Sequence, residues 1–348
     1  EYMDWPRIEA VVYGEEASPK DVMAPRLTTD GVLVQGFFPE ADKAEVLVGS
    51  RKYEMEKEDE AGYFAAMIPG RKIPEYEYRV TRGEEVQEFS DPYAFAGQIT
   101  EAEEKAFCAG VYYHAYEKLG AHPMEINGVK GTSFAVWAPN AVRVSVVGNF
   151  NEWDGRRHAM HRMPMSGIFE LFIPGVKVGD IYKYELKLKG NRIELKSDPY
   201  AACTEVPPAG ASVVADTGAF QWEDEEWMAG RKKFADRKQP VSIYETSLTD
   251  WKDGEELVEF VKKLNYTHVE LHPVMEYLDD EAGEYSTFAY YAPTRRFGMP
   301  QDFQKTVNEL HKAGIGLILD WTPSHFPRVE GGLELFDGTP LYENPDPS

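Results

Sequence analysis

The sequence predicts a mostly β protein with two antiparallel β-sandwiches in series, followed by the beginning of a β/α barrel. Three observations support this prediction. Short alternating strands occur twice before about residue 215, offset by about 106 residues, which is the size of an immunoglobulin-like sandwich. After Trp222, strands alternate with helices. A later apolar run ends at Leu319 in polar residues, as strands of parallel β/α sheets do where they carry functional groups.

An internal repeat defines the two sandwiches. Three kinds of segment occur in both copies: a strand closed by Pro-Gly, an aromatic strand, and the sequence Asp-Pro-Tyr-Ala. The matching pairs are residues 62–70 with 167–175, 76–80 with 182–186, and 91–94 with 198–201. We therefore predict β-sandwiches over residues 1–99 and 122–215, joined by a connector at 100–121. The connector is rich in Glu, Ala, Tyr and Lys, which favours a solvated linker.

Residues 216–348 follow a different pattern, in which strands and helices alternate. A charged stretch at 223–238 predicts a helix, helical spacing of apolar residues predicts a second, and an opening Pro and Asp indicate a third. Buried strands are expected at 241–245, 268–271 and 316–319, and helices at 255–264 and 300–313. This order implies parallel strands with right-handed crossovers, so the region is predicted to be the first part of a barrel.

Composition limits the class of function. The chain has 37 Lys and Arg against 60 Asp and Glu, a net charge of −23, which repels nucleic acids and anionic membranes. Cys108 and Cys203 are too few for a disulfide framework, and no apolar run approaches the roughly 18 residues of a membrane span. The few cysteines favour a reducing, cytoplasmic location. Because no phosphate loop, zinc spacing or dinucleotide motif occurs, we expect no cofactor and no metal.

The aromatic content of 13% has two interpretations: the cores of the sandwiches, or faces that stack on sugar rings. The turn at 148–154 offers a candidate sugar contact, with Trp153 as the stacking face and Asn151 as an amide hydrogen-bonding group. The alternative is that Trp153 is a corner residue of the sandwich. A neutral sugar ligand fits the charge of the chain.

A second candidate site lies at the end of the last predicted strand. Asp320 and His325 follow this strand and can grip hydroxyl groups, since both bond directionally without needing a charged ligand. Tyr285 belongs to an aromatic and Arg-rich loop expected on the same face. The alternative is that Asp320 caps a turn, His325 is ordinary surface, and the loop is merely packed.

Together these segments resemble the bacterial 1,4-α-glucan (glycogen) branching enzymes of the α-amylase superfamily. The resemblance covers nearly the whole chain and is carried by eight segments. They are residues 116–123, 134–140, 148–154, 170–175, 242–245, 267–271, 291–298 and 318–327. The resemblance implies an extra amino-terminal immunoglobulin-like β-sandwich, a family 48 carbohydrate-binding module and the start of a (β/α)8 TIM barrel.

The resemblance also implies an activity. A branching enzyme cleaves an α-1,4 bond of a glucan and transfers the segment to a 6-hydroxyl, through a covalent β-glucosyl-Asp intermediate. The nucleophilic Asp and acid/base Glu of such enzymes lie on later barrel strands, so we assign no catalytic residue in this chain and expect it to be inactive alone. The roles implied here are substrate binding by Asp320 and His325 and ring stacking by Tyr285.

Some positions depart from the pattern of that family. Glu284 and Ser286 flank Tyr285 where Gly and Gln are usual, and His272 stands where Leu is usual. The segment at 251–255 is shorter than the corresponding segment of that family. An alternative is therefore a non-catalytic, degenerate glucan-binding protein. A debranching or trehalose-forming relative is a further alternative, disfavoured by the doubled sandwich.

Overall fold

The computed structural model describes residues 2–235 and 238–346 and divides into two compact units. The first contains the chain up to Asp198 together with the segment from Leu335 onward, and the second is Pro199–Glu334. The predicted second sandwich extended to residue 215, whereas the first unit ends at Asp198.

The amino-terminal sandwich consists of two antiparallel four-stranded sheets preceded by two helices. Its sheets have the strand orders β1-β2-β6-β5 and β4-β3-β7-β8. Alternate residues of β3 and β7 point inward, and Val46 and Tyr78 pack with Val34 and Phe64 in the core. The elements are α1 (Trp5–Val12), α2 (Pro19–Met23), β1 (Arg26–Leu27), β2 (Val32–Phe37), β3 (Lys43–Val48), β4 (Arg51–Glu54), β5 (Glu56–Asp59), β6 (Tyr63–Ile68), β7 (Glu77–Arg82) and β8 (Glu85–Ser90).

The second sandwich has sheets with the orders β12-β13-β10-β9 and β11-β14-β15, again antiparallel. Short turns of 3-10 helix occur at Pro92–Ala94, Ala115–Glu117 and Asn149–Asn151. The other elements are α3 (Glu101–Cys108), β9 (Gly120–Ile126), β10 (Val129–Trp137), β11 (Arg143–Gly148), β12 (His161–Arg162), β13 (Ile168–Pro174), β14 (Ile181–Leu188) and β15 (Arg192–Lys196).

The internal repeat is confirmed in three dimensions by two matching trios of buried side chains. In each sandwich, two tyrosines two residues apart, on β14 in the second sandwich and at the start of β7 and just before it in the first, donate hydrogen bonds to the same oxygen of an aspartate. The trios are Tyr76 and Tyr78 with Asp91 (2.5 and 3.0 Å) and Tyr182 and Tyr184 with Asp198 (2.6 and 3.1 Å). Burial raises the pKa of Asp91 to about 6, while the tyrosine hydroxyls act in the opposite direction.

The connector is not the solvated linker that its composition suggested. The helix α3 begins with a capping box between Thr100 and Glu103, and Glu104 on its inner face is 3% exposed. One carboxylate oxygen of Glu104 accepts hydrogen bonds from the Met165 and Ser166 amides and from the Ser166 hydroxyl, at 2.8 to 3.0 Å. The connector is therefore anchored to the second sandwich.

The end of the described chain also differs from expectation, because it returns to the second sandwich and does not extend the β/α region. Phe336 is fully buried, and a carboxylate oxygen of Asp337 accepts hydrogen bonds from the backbone and side-chain amides of Asn140, both at 2.9 Å. No local sequence pattern predicts this contact, which joins residues nearly 200 positions apart.

The second unit contains a parallel sheet and a hairpin. The sheet order is β17-β18-β21, as the predicted β/α alternation requires, and β19 pairs with β20. Short 3-10 turns occur at Thr217–Ala219, Arg231–Ala235 and Leu248–Asp250. The elements are β16 (Ser212–Val213), α4 (Glu225–Gly230), β17 (Ile243–Thr246), α5 (Gly254–Lys263), β18 (His268–Leu271), β19 (Met275–Tyr277), β20 (Thr287–Pro293), α6 (Pro300–Lys312) and β21 (Gly316–Leu319).

Two predictions for this unit need correction. The helix expected at 223–238 is limited to α4 and the following turn, and residues 236–237 lie outside the described residues. The strands expected to be buried are covered on one face only: Val269 and Leu271 pack with α5 and α6, whereas Ile243 is 44% exposed on the opposite face. Leu319, on the edge strand β21, is 46% exposed.

Candidate functional site

The carboxyl ends of the three parallel strands form one edge. Thr246, Leu271 and Leu319 are aligned in register across β17, β18 and β21. The alignment continues one residue further, since the His272 amide donates to the Thr246 carbonyl and the Asp320 amide donates to the Leu271 carbonyl. Polar side chains that follow the strands are thus brought to one place, as the sequence predicted for a β/α arrangement.

Two predicted site residues meet at this edge. Tyr285 donates a hydrogen bond from its hydroxyl to Oδ2 of Asp320, at 2.6 Å. This bond, helped by partial burial and by the negative charge of Asp320, raises the pKa of Tyr285 to about 12. The ring of Tyr285 remains 48% exposed, so one side of it is open to a ligand.

Next to this pair lies a group of residues whose mutual contacts were not predicted from the sequence. Glu284 accepts hydrogen bonds from the hydroxyls of Ser247 and Thr249, the latter at 3.4 Å, and lies 3.1 Å from Nδ1 of His272. The other ring nitrogen of His272 lies 3.2 Å from Glu245. The one sequence feature that could have indicated this contact is that Glu284 and His272 both depart from the family pattern. In the structure these two side chains are in contact.

Arg296 fixes the loop that carries Tyr285. Its guanidinium lies 3.9 Å from the centre of the Tyr277 ring and donates to Glu276 and Asp280 at 2.5 and 2.9 Å. Glu276 is fully buried and also accepts the Arg295 amide at 2.7 Å, so the ion pair holds the base of the loop. The loop borders an open depression of about 680 Å³ lined by Thr249, Tyr277, Asp280, Gly283, Glu284, Tyr285 and Arg296.

His325, the third predicted residue of this site, has its hydrogen-bond partner on its own loop. It is exposed, has a left-handed backbone conformation with φ of 61°, and is hydrogen-bonded to the hydroxyl of Ser324 at 2.8 Å. The structure therefore joins Asp320 to Tyr285 and gives His325 a local partner.

The two residues of the second predicted site, in the turn after β11, differ in exposure. Trp153 is partly exposed, and its indole N–H donates to Asn149 at 2.8 Å. Asn151 is 1% exposed: its Oδ1 accepts the Gly148 amide, and its Nδ2 bonds the Val146 carbonyl and Nδ1 of His158. Asn151 therefore shapes the turn, and Trp153 presents a ring at its surface.

The described residues contain no group of three or more His, Cys, Asp or Glu side chains placed to hold a metal ion. Of the helices within residues 2–235 and 238–346, none has the length and apolar character needed to cross a membrane. The two cysteines are free thiols, one exposed and one buried.

Comparison with known proteins identifies the two sandwiches. Residues 4–93 match the family model described as alpha-1,4-glucan branching enzyme GlgB, N-terminal domain, and residues 118–201 match Carbohydrate-binding module 48 (Isoamylase N-terminal domain). The 1,4-alpha-glucan branching enzyme GlgB of Cereibacter sphaeroides is 44% identical over 324 residues, covering 90% of this chain and 44% of that protein. The enzyme of the same name from Rhizobium meliloti is 41% identical and covers 98% of this chain and 48% of that protein.

The chain is similar to the amino-terminal part of 1,4-α-glucan branching enzymes. The resemblance drawn from the sequence is thereby confirmed, and this chain spans less than half the length of the relatives that it matches. Pullulanase type I from Bacillus subtilis, solved with maltose, shares the fold at 20% identity and a TM-score of 0.51. The structural match covers 92% of this chain and 49% of the pullulanase chain.

Proposed function

We propose that this chain forms the amino-terminal modules and early barrel of a cytoplasmic 1,4-α-glucan branching enzyme of glycogen biosynthesis. The observation that carries the proposal is the similarity to GlgB enzymes over 90 to 98% of the chain. The partner is an α-glucan such as glycogen or an amylose-like chain. A net charge of −23 favours this neutral polymer over nucleic acid or an anionic membrane.

In this proposal, β17, β18 and β21 are the first strands of a (β/α)8 TIM barrel. They are parallel and follow one another in space as they do in sequence, and helices α5 and α6 cover one face. The opposite face, with Ile243, would then be the interior of the barrel. The site at the strand ends would lie where barrels place their catalytic groups.

The proposed role of this edge is to hold one glucose unit beside the bond that is cut. The exposed face of Tyr285 stacks on a pyranose ring, and its bond to Asp320 fixes the orientation of both groups. Asp320 uses Oδ2 for Tyr285, and we assign Oδ1 to a sugar hydroxyl. His325, on the adjacent loop, supplies a further hydrogen bond to the same unit.

The reaction retains the anomeric configuration and needs two carboxyl groups that are close together, one as nucleophile and one as acid/base. We assign both to later strands of the complete enzyme. The residues of this chain bind and orient the glucan, and the chain by itself carries out no transfer.

A product assay tests the proposal with the complete protein and amylose as substrate. Branching lowers the iodine colour without releasing reducing sugar, whereas a debranching or hydrolytic relative releases reducing ends. Asp320→Asn is expected to reduce branching at least tenfold. If reducing sugar accumulates in step with the loss of colour, the assignment as a branching enzyme is wrong.

The second sandwich is proposed to bind glucan at the Trp153 face, outside the catalytic site. Affinity electrophoresis in glycogen-containing gels tests this, with Trp153→Ala expected to lose most of the retardation. Trp5→Ala is the matched control, because Trp5 is 49% exposed on α1 in the other sandwich. Equal retardation of wild type and Trp153→Ala would remove the support for this site.

A second candidate is a glucan-binding protein without transferase activity, which is suggested by the departure of His272 and Glu284 from the family pattern. It predicts normal retardation on glycogen but no change in iodine colour with the complete protein. The two assays together separate this candidate from the branching enzyme.

A further inference from the structure

A cavity of about 360 Å³ lies between the two sandwiches, within the first compact unit. Its volume falls in the range of small-molecule sites, which is roughly 300 to 1,000 Å³. One wall comes from the amino-terminal sandwich, including Phe89, and the other from the second sandwich, including Phe150. Neither Tyr285 nor Trp153 lines this cavity, so a ligand bound in it occupies a third place on the chain.

Each wall presents one half-buried phenyl ring. Phe89 packs against Phe38 and Tyr78, whose ring centres lie 6.0 and 5.8 Å from its own. Phe150 packs against His158, with ring centres 5.9 Å apart. Burial lowers the pKa of His158 to about 4, so this neighbour is uncharged near neutral pH. The two phenyl rings are therefore fixed by their neighbours, and both contribute flat apolar surface to the cavity.

The two guanidinium groups of the lining are engaged by the protein itself. Arg157 donates a hydrogen bond to Glu152 at 3.3 Å and forms an ion pair with Asp154 at 3.5 Å. Arg82 donates to the Pro39 carbonyl at 3.0 Å, and the negative charges of Glu152 and Asp154 also act on it. Neither guanidinium group therefore offers an uncompensated positive charge to a ligand.

The two carboxylates of the lining are engaged as well. Asp91 accepts hydrogen bonds from the hydroxyls of Tyr76 and Tyr78, at 2.5 and 3.0 Å. Glu88 forms an ion pair with Arg79 at 3.7 Å. Because the positive and negative side chains of the lining are equal in number and all have partners, the cavity has no charge left to balance an ionic ligand and favours a neutral one.

Two partly buried polar side chains of the lining can bond hydroxyl groups. They are the carboxamide of Gln87 and the hydroxyl of Ser90, both on β8. Gln87 donates one hydrogen of its NH2 group to Glu85 at 2.6 Å, which leaves the second hydrogen for a ligand, and the Ser90 hydroxyl can both donate and accept. Flat apolar surfaces, groups of this kind and the absence of a free charge suit a ring with apolar faces and hydroxyl edges, such as a pyranose.

We propose that this cavity binds a short α-1,4-linked glucan segment. Its glucose rings stack on Phe89 and Phe150, and their hydroxyls bond to Gln87 and Ser90. The lining favours a neutral sugar, and the choice of an α-1,4 glucan among the sugars rests on the proposed function. Because the two phenyl rings belong to different sandwiches, the bound segment contacts both of them.

Titration calorimetry of the full chain with maltotriose tests this site. The double variant Trp153→Ala, Tyr285→Ala serves as the background, because it removes the two other proposed stacking faces, and it should still bind maltotriose. Adding Phe150→Leu keeps an apolar side chain but removes the flat ring, so it should weaken binding about fivefold, as expected for one lost stacking contact. Phe95→Leu is the matched control. Phe95 is also half-buried and packs on an aromatic ring, that of Phe172, but it lies outside the lining, so the affinity should be unchanged.

Phe89→Leu provides the same test from the other wall and decides the question if Phe150→Leu does not fold, as judged by circular dichroism. The proposal is overturned if the background variant binds no maltotriose up to tens of millimolar, or if cellotriose binds as well as maltotriose. It is equally overturned if neither Phe150→Leu nor Phe89→Leu weakens binding, or if Phe95→Leu weakens it as much as they do.

Failure of this inference and failure of the proposed function give different results. A complete protein that branches amylose, combined with a background variant that binds no maltotriose, refutes this inference alone. A complete protein that does not branch amylose, combined with maltotriose binding that Phe150→Leu weakens, refutes the proposed function and supports this site.

Discussion

Replacing Asn151 with Ala should destabilise the second sandwich strongly. The side chain is 1% exposed and makes three hydrogen bonds within the turn, at 2.8 to 3.0 Å. Alanine leaves the Gly148 amide, the Val146 carbonyl and Nδ1 of His158 without these partners. At roughly 1 kcal/mol of net stability for each bond, the expected loss is about 3 kcal/mol.

Backbone strain in the same turn makes this loss consequential for function. Glu152 and Trp153 have left-handed backbone conformations, with φ of 55° and 60°. Non-glycine residues stay in this region only where surrounding contacts enforce it. Without the bonds of Asn151 the turn can relax, and the Trp153 ring no longer has the fixed orientation that the proposed stacking on glucan requires.

Thermal unfolding and glycogen retardation measure the two effects. A loss of about 3 kcal/mol should lower the midpoint of this unit by roughly 6 to 12 °C. Asn149→Ala is the matched control in the same turn. Asn149 is exposed, and the bond described for its side chain is the one from the Trp153 indole, so the midpoint of this variant should fall by no more than a few degrees. An Asn151→Ala midpoint within 2 °C of wild type would refute the reasoning.

Three further predictions follow from buried or paired groups. Glu104→Ala should cost about 3 kcal/mol in urea unfolding, because it removes three bonds to residues 165–166, whereas Glu101→Ala on the same helix should leave the midpoint nearly unchanged. Burial lowers the pKa of His158 to about 4, so its contribution of about 3 kcal/mol should be present above pH 6.5 and be lost as the pH falls toward 4. His158→Gln should flatten that part of the stability profile. Tyr285→Phe in the complete enzyme should raise the KM for amylose several-fold with an unchanged thermal midpoint, since its bond to Asp320 lies at the surface.

Local sequence patterns were sufficient to predict the two sandwiches and the parallel strands. The repeat of the aromatic strand and of Asp-Pro-Tyr-Ala was visible in the sequence, and the structure gives it a physical cause in the bonds from Tyr78 to Asp91 and from Tyr184 to Asp198. Each trio must be retained as a set, because an unpartnered buried carboxylate is costly.

The sequence could not predict contacts that join distant segments through single side chains. Glu104 resembles any other acidic residue of an exposed helix, yet it binds residues 165–166 about 60 positions away. Asp337 likewise occupies a polar stretch that gives no sign of its bonds to Asn140. Periodicity reports which face of an element is apolar, and these contacts depend on one polar residue each.

The pairing of His272 with Glu284 argues against a degenerate site. Both positions depart from the family pattern, and loss of function by random substitution would leave such residues without specific partners. Instead Glu284 bonds Ser247 and lies 3.1 Å from His272, whose ring centre is 6.2 Å from that of Tyr285. The altered residues therefore form connected polar contacts beside the Tyr285 ring, so the subsite that we propose there would have different polar contacts rather than lost ones.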